Sequence, residues 1–210
     1  MLKLALPGMI MIEAQFSVLE ILTIAAGQFG TIKLAAQSIL VTVTSTSFNI
    51  PFPLAIATST RVANLIGAGL SDAAQVTARV VCLSPPSHAM CESSLAICKQ
   101  AIFAACAVGL FNLSILAGLR EQIARVFTQE DDVVAAAAQV MLVCAVMQIF
   151  DAMAAVSHGI LRGVGRQAVG GYANLFAYYA IALPVGLSTA FMLGWELSGL
   201  WAGLTAGLAA

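Results

Sequence analysis

The chain of 210 residues is 60% hydrophobic and only 9% charged, with a mean hydropathy of +0.96. A soluble domain is about 45–50% apolar and about 25% charged, so nine basic and ten acidic side chains cannot cover a water-facing surface of this size. A net charge of −1 and a pI near 6.1 leave no basic face for nucleic acid. The composition predicts an all-α membrane protein, a polytopic bundle in which the bilayer forces backbone groups to be satisfied inside helices.

A spanning helix needs roughly 20 apolar residues. The charge-poor runs, in order, are 4–27, 34–60, 101–119, 133–161 and 167–194, followed by the shorter run 197–210. That last run covers about 21 Å at 1.5 Å per residue. The expectation is therefore five full spans plus a truncated sixth. The first run holds two acids and lacks a small-residue cleavage site, so it does not read as a signal peptide. With the N-terminus inside, Lys3, Arg61, Arg79, Lys99, Arg162 and Arg166 fall on the cytosolic side and Lys33, Arg120 and Arg125 outside, the arrangement that the positive-inside rule favours.

Pro51 and Pro53 fall inside the second run and Pro184 inside the fifth. Each removes a backbone donor and crowds the preceding turn, so each predicts a helix bend, either a packing kink or the wall of a cavity. Residues 61–79 mix Arg61, Asn64, Asp72 and Arg79 with apolar positions and read as an interfacial helix. Residues 81–100 are out of character. Pro85-Pro86 and the serines read as loop. The spacings among Cys82, His88, Cys91 and Cys98 match no zinc motif, so no metal site is expected. The stretch reads as an insertion in a cytosolic loop or a retained intron, because deleting it joins Val80 to Ala101. Cys106 and Cys144 lie inside spans as small hydrophobes.

Three carboxylates interrupt the spans: Glu13, Glu20 and Asp151. An ionised group at a helix centre costs about 2.5–3.5 kcal/mol, so each is a functional candidate by default. Glu13 is ten residues from Lys3 and Asp151 eleven from Arg162, which gives both a depth of about 15 Å from the same side. Glu20, seven residues after Glu13, shares its helix face. No Lys or Arg lies within the spans to balance them. A proton, Na⁺ or a cationic substrate must do so, and a carboxyl that exchanges a proton for a cation is the working part of an antiporter. Gln15, Gln37, Asn49, Gln148 and Asn174 are the other amides within the spans. Each can line a cavity or bind helices together, and the second role is the commoner. His158 reads as packed or wet. No nucleophile–base constellation, P-loop or His-Glu-x-x-His is present, which excludes the usual enzyme signatures.

Several stretches together resemble the multidrug and toxic compound extrusion (MATE) family, with features of its fungal members. They are Leu4-Ala-Leu-Pro-Gly8 running on to Glu20-Ile-Leu-Thr-Ile-Ala-Ala-Gly27, Leu34-Ala-Ala-Gln-Ser-Ile39, Ile50-Pro-Phe-Pro-Leu54 and Ser59-Thr-Arg-Val-Ala-Asn-Leu-Ile-Gly-Ala-Gly69. Further along are Gln148-Ile-Phe-Asp151, Gly159-Ile-Leu-Arg-Gly-Val-Gly-Arg-Gln167, Asn174 with Tyr178-Tyr179 and Pro184, and Gly199-Leu-Trp-Ala-Gly203.

The resemblance covers nearly the whole chain except 81–100. It implies that residues 1–210 form the C-terminal six-helix lobe of a twelve-helix, two-lobe transporter whose N-terminal lobe is missing here. It implies export of organic cations and xenobiotics by antiport with H⁺ or Na⁺, with no other cofactor, across a plasma or vacuolar membrane. The alternative is a non-transporting membrane fragment that pairs with another lobe. By this resemblance, Asp151 and Glu20 match the family's acids, with Glu13 beside them, and Gln15 stands where the family often has another acid. Gln15, Gln37, Asn174, Tyr178 and Tyr179 are the cavity-lining candidates.

Overall fold

In the computed structural model, residues 2–67 and 91–210 are described. They form α1 (Leu2–Gly27), α2 (Thr31–Phe48), α3 (Pro51–Gly67), α4 (Cys91–Gly118), α5 (Arg120–Phe127), α6 (Asp131–Gly163), α7 (Gln167–Leu175), a π-helical segment (Phe176–Ala182), α8 (Leu183–Phe191) and α9 (Glu196–Ala209). The all-α expectation holds, and the described residues contain no strand. Among them, Thr31–Asn64, Lys99–Gly118, Asp131–Gly163 and Gln167–Phe191 are long and apolar enough to cross a membrane. The described part of α1 adds a shorter apolar stretch, Gln15–Gly27.

Helix α6 is the axis of the bundle. It packs against α2, α3, α4, α5 and α9, and α1 packs chiefly on α7. Its 33 residues are about 50 Å long at 1.5 Å each. That exceeds a hydrocarbon core of about 30 Å, so α6 must tilt or project from the bilayer. Small residues bring its neighbours close. A Cβ on Gly159 would strike the Ala55 carbonyl of α3, and one on Gly163 would lie 2.7 Å from the Ser59 carbonyl oxygen. Such stripes give the van der Waals contact that holds helices together where lipid removes the hydrophobic drive.

The prolines act through the carbonyls they free. Pro51 cannot donate to Ser47 four residues back, so α2 ends at Phe48 and α3 begins at Pro51, the position where a missing N–H is harmless. The freed Ser47 carbonyl accepts from the Ile50 N–H at 3.1 Å and from the Asn112 side chain of α4 at 3.3 Å. The run predicted as one span is thus two helices with a break at Asn49-Ile50. Ahead of Pro184 the chain widens into the π-helix, and the Leu183 N–H reaches back to the Tyr178 carbonyl.

Two expectations are corrected. Residues 61–67 continue α3 rather than start a separate interfacial helix, and 68–79 lie outside the described residues. Residues 91–100 are the first turns of α4 rather than loop, while 81–90 lie outside the described residues. The metal reading of Cys82, His88, Cys91 and Cys98 falls outside the described side chains. Lys33 and Glu196 form an ion pair at 2.9 Å, so the α1–α2 and α8–α9 connections share one end of the bundle, as the predicted topology requires.

Candidate functional site

The α2–α3 break and the π segment both open onto one cavity of about 290 Å³ between α1, α2, α6, the π segment and α9. Its polar lining is Gln15, Thr44, Ser45, Asn49, Asp151 and Tyr178, and its apolar wall includes Phe16, Phe48, Met147 and Leu204. Each wall element has a local cause. Ser45, Phe48 and Asn49, on the last turn of α2 before the break, line the cavity from one side. The π-helix carries Tyr178 to the side of Asp151, close enough for the two groups to interact electrostatically. Thr44 turns its hydroxyl back to donate to the Leu40 carbonyl at 2.8 Å.

Asp151 is 4% exposed and lies close enough to Tyr178 to interact with it. No Lys or Arg lines the cavity. A carboxylate in this position must be neutralised by a proton or by a cation that enters. At about 290 Å³ the space lies at the lower edge of the roughly 300–1,000 Å³ of drug-sized pockets.

The other acids are elsewhere. Glu13 and Glu20 are exposed on α1, and neither lines the Asp151 cavity. Gln15, roughly 200° round the helix from Glu13, takes the inward position instead. Gln37 is not cavity-lining. It is fully buried, accepts from the Trp201 indole N–H at 2.7 Å and donates to the Thr23 hydroxyl at 3.4 Å, joining α2 to α9 and α1. Tyr179 is 40% exposed and turned from the cavity, since neighbours on a helix point about 100° apart. Asn174 lines a second, smaller space with His158 rather than the Asp151 cavity. Gln148 is buried one turn below Asp151 and accepts from Asn112 at 3.4 Å.

Sequence reasoning missed Thr44, Ser45, Phe48 and Asn112. Only their distance from Pro51 could have pointed to the first three, and nothing in the sequence pairs Asn112 with Ser47.

A family model described as MatE matches residues 7–84 and 95–188, and the interval between the two matches falls inside 81–100. The chain is 37% identical over 206 residues to the uncharacterized transporter C4B3.13 of Schizosaccharomyces pombe, covering 98% of this chain and 34% of that protein. It is 33% identical to multidrug and toxin extrusion protein 2 of Mus musculus, covering 96% of this chain and 32% of that one. Among solved structures, the eukaryotic MATE transporter AtDTX14 superposes with a TM-score of 0.82 at 27% identity, covering 98% of this chain and 42% of that one. The chain thus spans about a third of the length of the curated relatives it matches.

Proposed function

Because the chain belongs to the MATE family, whose members are integral membrane transporters rather than enzymes, we propose that it acts as one six-helix lobe of a secondary antiporter. The antiporter exports organic cations and xenobiotics in exchange for H⁺, with Na⁺ the alternative coupling ion and no other cofactor. One observation carries this reading: Asp151 is 4% exposed and faces a cavity that no basic side chain lines. A proton and a cation compete for that carboxyl, and competition for one site is what couples the two fluxes. Gln15, Asn49 and Tyr178 supply neutral polar contacts around it.

Alternating access rocks two repeats about a site near the midplane. The cavity volume of about 290 Å³ supports a second lobe completing the substrate site. Glu13 and Glu20, exposed here, are then candidates to meet substrate or that lobe. The membrane is the plasma or the vacuolar membrane. Residues 81–100 are an insertion or a retained intron, a reading supported by the interrupted family match and tested by sequencing the transcript.

The test is a chimera in which this chain replaces the matching segment of the fission-yeast relative. Asp151→Asn is expected to lower tetraethylammonium efflux at least about tenfold, the equivalent of about 1.4 kcal/mol, with insertion unchanged. Full efflux by a correctly inserted Asp151→Asn chimera would overturn the role of Asp151. No efflux from the parent chimera would favour the non-transporting alternative.

A further inference from the structure

A groove of about 520 Å³ opens where α5 meets the start of α6. No residue lines both it and the Asp151 cavity. Its mouth carries Arg120, Glu121 and Arg125 from α5 and Asp131 from α6. On α6 the lining continues through Ala135 and Ala138 to Leu142, with Gln139 between. These positions recur every three or four residues and so form one stripe, about 16 Å from Asp131 to Leu142 at 1.5 Å per residue. Along that stripe the lining passes from charged to largely apolar.

The neighbouring spans fix where the groove lies. Lys99–Gly118 of α4 and Asp131–Gly163 of α6 are both long and apolar enough to cross a membrane. Helix α5 joins the end of the first to the start of the second, so it lies at one membrane surface. Its Ala124 is buried against the bundle, whereas Leu119, Val126 and Phe127 are exposed. A short helix with an exposed apolar side and arginines beside it, at the end of a span, is an interfacial helix. The charged mouth therefore sits at headgroup level, and the α6 stripe leads from it toward the acyl chains.

The charges select the headgroup. A guanidinium binds a phosphate through paired, charge-assisted hydrogen bonds. Arg120 is half-buried, and neither it nor Glu121 forms an ion pair among the described residues. Arg125 and Asp131 pair at 3.0 Å, but their side chains are 53% and 81% exposed, so the contact is weak and gives way readily to other charges. Two arginines alone fit any phospholipid. The two carboxylates beside them make the mouth neutral overall and repel an anionic headgroup. A headgroup that joins a phosphate to an ammonium finds a partner for each. The primary ammonium of phosphatidylethanolamine donates three hydrogen bonds, as a lysine does, whereas the quaternary nitrogen of choline has no N–H. Gln139, further down the stripe, offers an amide to the ester carbonyls.

We propose that the α5–α6 groove binds phosphatidylethanolamine, with the phosphate on Arg120 and Arg125, the ammonium on Glu121 and Asp131, and an acyl chain along α6 to Leu142. The site is independent of the antiport reading.

The test has two arms. The first is native mass spectrometry of the 210-residue chain released from micelles that hold phosphatidylethanolamine, phosphatidylcholine and phosphatidylglycerol in equal amounts with matched acyl chains. The ethanolamine lipid is expected to be retained about three- to fivefold over the other two. Glu121→Gln with Asp131→Asn should abolish that preference and admit the glycerol lipid. Arg120→Gln with Arg125→Gln should weaken retention of all three. None of the four side chains is buried, so the variants fold as the parent does, which melting in detergent checks. Lys33→Gln with Glu196→Gln, at an ion pair elsewhere on the surface, should leave the preference intact. Equal retention of the three lipids by the parent, or a preference for the glycerol lipid, would overturn the proposal. So would an ethanolamine preference that survives the carboxylate changes, or one lost equally with the Lys33–Glu196 pair.

The second arm places the photocrosslinker p-benzoylphenylalanine at Leu142 of the chimera in yeast membranes. Irradiation is expected to give an adduct carrying phosphatidylethanolamine. An adduct to the other lobe of the chimera instead would show the groove to be a protein interface and would overturn the lipid site.

Discussion

Trp201 of α9 donates its indole N–H to the Gln37 side-chain oxygen of α2 at 2.7 Å, with both residues fully buried. Gln37 passes its own N–H to Thr23 of α1 at 3.4 Å, so one amide ties three helices around the Asp151 cavity. Leu204 and Leu208, on the same helix as Trp201, line that cavity. The bond therefore helps hold a wall of the site without touching what enters it.

Trp201→Phe should strand the Gln37 oxygen. Interhelical hydrogen bonds in membranes average about 0.6 kcal/mol and reach about 1.7, and an unpaired buried group adds to the loss, so a cost of about 1–3 kcal/mol is expected. Gln37→Leu combined with Trp201→Phe should cost less than the sum of the two single changes, because no polar atom is then left unpaired. Thermal unfolding of the four proteins in detergent closes the cycle, and strict additivity would contradict the assigned bond.

Gly203 and Gly186 meet backbone to backbone where α9 crosses α8, and Gly199 leaves room for Ala190, whose N would sit 2.7 Å from an added Cβ. Gly203→Ala should destabilise by about 1–3 kcal/mol through overpacking. Gly118→Ala, at the end of α4 with nothing within 4 Å of the added methyl, should stay within about 0.5 kcal/mol. Detergent melting curves of the two variants, side by side, test the asymmetry.

Pro184 follows directly on the π segment that turns Tyr178 toward Asp151. Pro184→Ala restores a backbone donor and allows the wider turn to relax toward α-geometry. The expected result is a fold at least as stable as the parent, with several-fold weaker cation transport in the chimera because Tyr178 shifts relative to Asp151. Unchanged transport would separate the π-helix from the site.

The Lys33–Glu196 pair is 31% and 47% exposed. Pairs of this kind contribute about 0–1 kcal/mol and weaken with salt. Glu196→Gln should therefore change the melting temperature little, and the change should shrink in high salt; a large, salt-insensitive loss would show the pair to be more than a surface contact.

Composition alone determined the solvent in which this protein folds, and apolar run length determined the approximate positions of its long helices. Both are sums over the chain, so they need no knowledge of what faces what. Asp151 stood out for the same reason, since a carboxyl deep in an apolar run is costly wherever the helix turns. The bends at Pro51 and Pro184 were legible too, because a missing N–H acts locally. Facing was decided only by tertiary packing. Glu13, Glu20 and Tyr179 turn out of the cavity, Gln37 becomes a buried tie, and Gln15 and Tyr178 turn in. In a lobe that is apolar on nearly every side, the hydrophobic pattern carries little record of which face is inside. That choice falls to glycines such as Gly159, which let α3 approach, and to partners such as Trp201 that lie 164 residues away in the chain.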